Sequence, residues 1–279
     1  MRIIEQEVST ILRPTNINLA PFVINPYQGC ELGCCFCYAQ FSKVAKKQVD
    51  DWGDYVKVKI NALDVLAKEL DQIKPESVLI GSITECFQPI ERKYNITKKI
   101  LELLNYRKIP FTIMSRSSLI VEHINLLSQG NCKSIYFTVN VLPDILSKEF
   151  NMNAPNFAKG LEVVKKLQDE GINIIAYFCP VLPWISDIEQ IVSSVKGIAR
   201  KAEFEIINFY MAKHKLMEAA IEKYYPEYSL NYQKLLNDAG FLDASFKKIE
   251  TDILAEAGNS FERLKVHVHE FKQYFRNKY

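Results

Sequence analysis

The chain has 279 residues, with 35 lysines and arginines against 33 aspartates and glutamates, for a formal net charge of +2. Hydrophobic residues make up 48% and charged residues 24%, which excludes a disordered or fibrous chain. The near-balance of charge excludes a strong electrostatic footprint for nucleic acid or an anionic membrane, and leaves room for a modest basic groove.

Met1 to Thr10 carries Glu5 and Glu7 and lacks the apolar stretch of a signal peptide. No run approaches the roughly 18 apolar residues of a membrane span, so a cytoplasmic protein without membrane contact is expected. Residues 1–20 read as an N-terminal extension. A strand is predicted from Pro21 to Tyr27, leading straight into a cysteine-rich loop. Val56 to Ile60 alternates with Lys57 and Lys59 and predicts an accessory edge strand. Further β-branched and aromatic runs begin near Ser77, Phe111, Ser134, Asn173 and Phe204. Amphipathic stretches separate them, one carrying Ile100, Leu101 and Leu104, another Leu161, Val164 and Leu167. Apolar strands alternating with helices indicate βαβ units and a parallel sheet in an α/β fold over residues 21–212. The six strands are two short of an eight-stranded barrel. Ser186 with Glu189 has the form of a capping box that opens a helix at Asp187. Residues 213–279 read as a helical C-terminal lobe packed on this sheet, broken at Gly240 and Gly258. Its last helix is expected over Phe261 to Tyr279, with Phe261, Leu264, Val268, Phe271 and Phe275 on one stripe. No linker separates the lobes.

The chain has seven cysteines, and a cytoplasmic setting disfavours structural disulfides. Four fall in Cys30-Glu-Leu-Gly-Cys34-Cys-Phe-Cys37. Three thiolates at C-x3-C-x2-C on one loop can each ligate one iron of a cubic 4Fe–4S cluster. The fourth iron is then left open to substrate or cofactor. Gly29 and Gly33 let the loop wrap closely. Two plainer readings compete. A zinc knuckle groups four ligands as two pairs; Cys35 is a poor fourth ligand beside Cys34, and no second C-x2-C pair occurs. Inert buried thiols are the other. Cys35 reads as a packed bystander.

On this loop the sequence resembles the radical S-adenosylmethionine (SAM) superfamily, whose signature is C-x3-C-x2-C with an aromatic, here Phe36, before the last cysteine. The strings Asn25-Pro-Tyr-Gln-Gly-Cys30, Cys37-Tyr38-Ala39, Thr84-Glu85, Gln88 to Arg92 and Pro180 to Asp187 look more specifically like its spore photoproduct lyase-related branch. The resemblance covers roughly residues 5–230 and implies a partial (βα)6 barrel of the TIM type. It implies a 4Fe–4S cluster on Cys30, Cys34 and Cys37 whose open iron chelates SAM. One electron then cleaves SAM to a 5′-deoxyadenosyl radical that abstracts hydrogen from substrate. It implies that Phe36 packs near the adenine and that Thr84 and Glu85 meet the SAM amino group and ribose. Arg116 would neutralise the SAM carboxylate, and Thr138 and Asn140 would lie at the ribose. Glu85 and Arg116 forming only a surface ion pair, and Thr138 and Asn140 only capping a strand end, are the plainer alternatives.

The chain departs from that branch where the lyases carry hydrogen donors. Ser82 stands near the position of a lyase cysteine, Phe36 replaces a tyrosine, and Leu32 replaces a histidine. Trp184-Ile185 replaces a glycine in the fifth-strand motif. These departures argue against thymine-dimer repair. Cys86 is a candidate substitute hydrogen donor, with core packing as its plainer role. Cys132 and Cys179 look like strand or core residues, although Cys179 ends a strand near the pocket. His267 and His269, two apart on an expected helix, would not share a face. His123 and His214 read as solvated or core side chains. Lys43, Lys46 and Lys47 offer a face to a low-potential electron donor of flavodoxin or ferredoxin type, or to a nucleic acid. Tyr224, Tyr225, Tyr228 and Tyr232 suit helix packing or base stacking. The expected function is a radical SAM enzyme with an unspecified substrate, a nucleic acid base by analogy. The alternative is a non-catalytic iron–sulfur or zinc protein, acting as an electron carrier or structural module.

Overall fold

The apolar runs become strands of one sheet in the computed structural model, which describes residues 1–42, 45, 48–150, 153–209 and 214–269. The strands are β1 (Arg2–Gln6), β2 (Leu12–Pro14), β3 (Phe22–Ile24), β4 (Tyr27–Gly29), β5 (Tyr55–Lys59) and β6 (Val78–Ile80). They continue with β7 (Phe111–Ser115), β8 (Cys132–Val139), β9 (Ile174–Val181), β10 (Lys201–Ile206) and β11 (Arg263–His267). The main sheet has the order β11-β10-β9-β8-β7-β6-β3-β2. Every neighbouring pair in it is parallel except β2 with β3. The six strands expected from sequence, β3 and β6 to β10, are its contiguous middle.

Val78, Leu79, Ile80, Phe111, Thr112 and Ile113 are all buried. Consecutive burial means both sheet faces are covered, so these runs show no alternation. Helices Ala62–Gln72, Ile96–Tyr106, Phe157–Asp169 and Ile188–Val195 lie between successive strands. Ile100, Leu101 and Leu104 are fully buried along one helix, and Val164 and Leu167 along another. Each such side chain contributes about 1.5–3 kcal/mol by leaving water. Among the described residues no helix is long and apolar enough to cross a membrane.

Several expectations need correction. The run Pro21 to Tyr27 is two strands in different sheets, because β3 ends before Asn25-Pro26 and β4 begins after it. Pro26 has no N–H for a ladder, which favours a break there. β5 is no edge: it is the middle of a three-stranded sheet, parallel to β1 and antiparallel to β4. The partner that sequence reading lacked is the N-terminal extension itself, which supplies β1 and β2. The helix expected at Asp187 begins at Ile188, and its cap is Asp187, whose carboxylate accepts the Gln190 N–H. The Ser186 hydroxyl accepts the Leu182 N–H instead.

The C-terminal region holds helices His214–Tyr224, Ser229–Asn237 and Ala239–Ala257. Gly258 ends the last of these at φ 46°, whereas Gly240 lies inside its first turn. The expected helix from Phe261 is a strand over its described part: β11 pairs in parallel with β10. Phe271 and Phe275 lie outside the described residues. Leu264, Val266 and Val268 satisfy a strand period as well as Phe261, Leu264 and Val268 satisfy a helical one. The polar partners of β10 settle the choice. Glu203 pairs with Arg263 at 2.7 Å and His267 at 2.7 Å, and Glu205 with His269 at 2.9 Å. Two apart on extended chain, the two histidines do share a face.

Candidate active site

The cysteine loop crosses the C-terminal ends of β3, β6 and β7. It is fixed by polar side chains rather than by its own secondary structure. Gly29, at φ +87°, opens it; a Cβ there would lie 2.3 Å from the Tyr55 carbonyl oxygen. The Thr84 hydroxyl donates to the Gly29 carbonyl at 2.6 Å and accepts from the Gln88 amide at 3.3 Å. Gln88 then accepts the Glu31 N–H at 2.8 Å through its other end. Glu31 in turn accepts the Ile90 N–H at 3.1 Å. Tyr27 donates to Glu91, which also receives the N–H groups of Thr97 and Lys98. Asn25 spans to the next strand end, donating to Ser82 at 3.2 Å and accepting from Ile83 N at 3.1 Å. On the far side Gln40 donates to the carbonyls of Cys35 and Cys37, and Asn153 to that of Glu31. The strings Asn25 to Gly29 and Thr84 to Glu91 are therefore a bracket around the cysteines.

Cys30, Leu32 and Cys34 form a small buried group against Phe36, Cys37, Trp52 and Ala154. Burial, reinforced by Cys34 and Cys37, pushes the Cys30 thiol far above its ordinary range. Burial and Cys34 raise Cys37 to about 12. Thiols so placed resist ionising together unless positive charge joins them, and an iron–sulfur cluster supplies that charge. Among the described residues no three His, Cys, Asp or Glu side chains converge as ligands of a single metal ion. A cubic cluster asks for a different arrangement, one thiolate on each of three irons. The donor set fits such a cluster.

Glu85 is buried at the end of β6, next to the end of β7. Its carboxylate accepts from the Ser115 hydroxyl at 2.7 Å, Arg116 N at 2.7 Å and Phe87 N at 2.9 Å. Burial raises its pKa, and these bonds pull it part of the way back. The surface ion pair with Arg116 is not what forms. Arg116 gives Glu85 its backbone N–H and sends Nη1 to Cys34 Sγ at 3.1 Å. The guanidinium carbon stands 5.6 Å from the Phe36 ring centroid.

The remaining expectations divide. Thr138 lies half-buried near the end of β8. Buried Asn140 donates to the Ser147 hydroxyl at 2.8 Å and accepts the Leu142 N–H at 3.1 Å, so it organises the turn after β8. Cys86 is fully buried in the main core, its thiol on the Met114 carbonyl at 3.9 Å. Cys132 begins β8, at the opposite end of the sheet from the loop. Cys179 donates to Glu205 at 3.1 Å. Burial, then Glu205, raises its pKa, which also responds to Arg116 and Cys34. It lies near the C-terminal end of β9, the same end of the sheet as the loop. Tyr232 is buried with its hydroxyl on the Pro183 carbonyl at 2.9 Å, a helix-packing role. His123 packs its ring against Phe87 at 5.1 Å. Lys43, Lys46 and Lys47 lie outside the described residues, as does the His214 side chain.

Sequence reasoning missed Gln88 as a buried bracket, Gln40 and Asn153 as loop anchors, and Glu205 as the partner of Cys179. Gln88 stood inside a noted string. Glu205 gave no signal, being with Glu203 one of two acidic residues in β10.

The model of the radical SAM superfamily matches residues 24–195, more than half of the chain. An uncharacterized protein of Methanocaldococcus jannaschii is 27% identical over 241 residues, 86% of this chain and 89% of its own length. Another, of Mycobacterium tuberculosis, is 24% identical over 191 residues, 64% of this chain and 55% of its own. Among solved structures, spore photoproduct lyase complexed with dinucleoside spore photoproduct superposes with a TM-score of 0.63 at 15% identity. That match covers 95% of this chain and 81% of the lyase. Streptococcus suis SuiB bound to its precursor peptide SuiA gives 0.53 at 16% identity, over 96% of this chain and 52% of SuiB. At these identities the structural likeness is one of fold.

Proposed function

The chain belongs to the radical SAM superfamily, and from that premise we propose that Cys30, Cys34 and Cys37 hold a 4Fe–4S cluster that cleaves SAM. The chain is an enzyme, and its chemistry is SAM-dependent radical chemistry; the electron-carrier alternative gives way. When bound, the cluster and SAM supply reductive cleavage of a sulfonium C–S bond and a 5′-deoxyadenosyl radical that removes a hydrogen atom from substrate. The observation that carries this reading is the gathering of two buried thiols and a half-buried third in one bracketed loop at the strand ends.

The protein's part is orientation and exclusion of water. Glu85 uses three of roughly four acceptor sites of a carboxylate internally, which leaves capacity for the ammonium of SAM. The Phe36 ring offers an apolar face to the adenine, and Thr138 a hydroxyl at the ribose. Thr84 and Asn140 already spend their polar groups on Gly29 and Ser147, so their work is to hold the loop and the turn. The electron comes from a low-potential donor of flavodoxin or ferredoxin type.

The substrate we propose is a nucleic acid base, supported by fold likeness to a lyase solved with a dinucleoside photoproduct. Repair of that same lesion is disfavoured. Ser82 is buried and accepts from Asn25; its O–H bond is far stronger than a thiol S–H, and Phe36 has no hydroxyl. Affinity for single-stranded DNA or RNA that falls steeply with salt would support this substrate class, and absent or salt-insensitive binding would remove it.

The test is anaerobic reconstitution, reduction with dithionite, addition of SAM and chromatographic assay of 5′-deoxyadenosine. The native chain should form the nucleoside, and a Cys30→Ala, Cys34→Ala, Cys37→Ala triple variant should form none. Equal yields from both would sink the proposal.

A further inference from the structure

Arg116 is held in place before its side chain begins. Its N–H donates to the Glu85 carboxylate at 2.7 Å, and the preceding Ser115 hydroxyl donates to the same carboxylate at 2.7 Å. The next residue, Ser117, returns its N–H to the Ser115 hydroxyl at 3.2 Å. From this fixed base the guanidinium reaches Cys34 Sγ at 3.1 Å, over the Phe36 ring. Among the described residues no carboxylate pairs with it.

We infer that Arg116 is a positioning residue that raises the reduction potential of the cluster through its charged hydrogen bond to the Cys34 sulfur, an inference that rests on Cys30, Cys34 and Cys37 being the ligands. A hydrogen bond to a ligating sulfur, and net charge beside it, are two of the levers that set such potentials. One electron from a low-potential donor adds negative charge that spreads onto the sulfurs. No bond is made or broken and no proton moves. A cation 3.1 Å from one sulfur favours the reduced form over the oxidised one, so the potential rises. Phe36 adds to the effect by keeping the guanidinium over its ring. This role differs from neutralising the carboxylate of SAM, because it operates with SAM absent.

The experiment is potentiometry of the reconstituted, SAM-free protein, read by electron paramagnetic resonance of the reduced cluster. Arg116→Gln keeps a donor and removes the charge; Arg116→Lys keeps the charge and loses the planar fork. The midpoint should move to a more negative potential in Arg116→Gln and return most of the way in Arg116→Lys. Phe36→Leu should give a smaller shift of the same sign, and it serves if Arg116→Gln does not take up a full cluster. An unchanged midpoint in fully loaded Arg116 variants, with weaker SAM binding by calorimetry, would overturn the inference and leave the proposed function standing. A native chain that binds no four-iron cluster, by iron and sulfide analysis, would overturn both.

Discussion

Gln88 shows how much of this site hangs on single polar contacts. It is fully buried, accepts the Glu31 N–H at one end of its amide and donates to Thr84 at the other. It therefore grips both flanks of Cys30. Gln88→Ala strands a buried N–H, and a stranded buried donor costs about 1–3 kcal/mol. The expected outcomes are a lower urea midpoint and less iron bound per chain after reconstitution. Gln88→Glu keeps the acceptor for Glu31 and should lose less iron than Gln88→Ala. An alanine variant with native iron content would show that Thr84 and Glu31 hold the loop without it.

At the scale of elements, β11 is the clearest case of chemistry deciding what pattern left open. Burial alone would raise the Glu203 pKa; the bond and charge of His267, then Arg263 and Lys265, reverse this and hold it below 4.5. Glu205 is lowered in the same way against burial, first by its bond to His269. A carboxylate depressed in the folded state stabilises the fold above its unfolded pKa, and that stability is lost as pH falls through the folded value. Glu203→Gln should therefore be less stable than the native chain at pH 7, and the gap should narrow as pH drops below 4.5. Urea unfolding at a series of pH values measures it; a gap independent of pH would mean that β11 is held by its ladder alone. The same strand marks what was legible in sequence. The six parallel strands were readable because two-sided burial writes unbroken apolar runs. The three cysteines proposed as ligands were readable because a cluster would fix their spacing. β1 and β11 were not, because neither carries a run of buried apolar residues and each meets its partner across the chain. Glu205 and Gln88 were not, because a hydrogen-bond partner leaves no period in sequence.

In the whole molecule Cys30, Cys34 and Cys37 pack apart from the main core, which the loop joins through Cys35 and Phe36. Cys30, Leu32 and Cys34 make a small group of their own, while the main core runs through β3 and β6 to β10 and includes Phe137 and Phe178, both fully buried. Removing three sulfur atoms at the rim opens little space in that core. The triple alanine variant should keep the far-ultraviolet dichroism of the native chain and unfold cooperatively within a few degrees of the iron-free native protein, while binding no iron. Phe137→Ala should do the reverse: it empties a core site at about 3–5 kcal/mol, yet leaves all three thiols and their bracket, so the folded fraction should still load iron. Collapse of the triple variant would mean that the loop is part of the folding core and that the bracket from Asn25 to Glu91 needs it. Cooperative unfolding of both variants, with iron lost only from the first, would establish that the sheet carries the stability and the polar bracket carries the site.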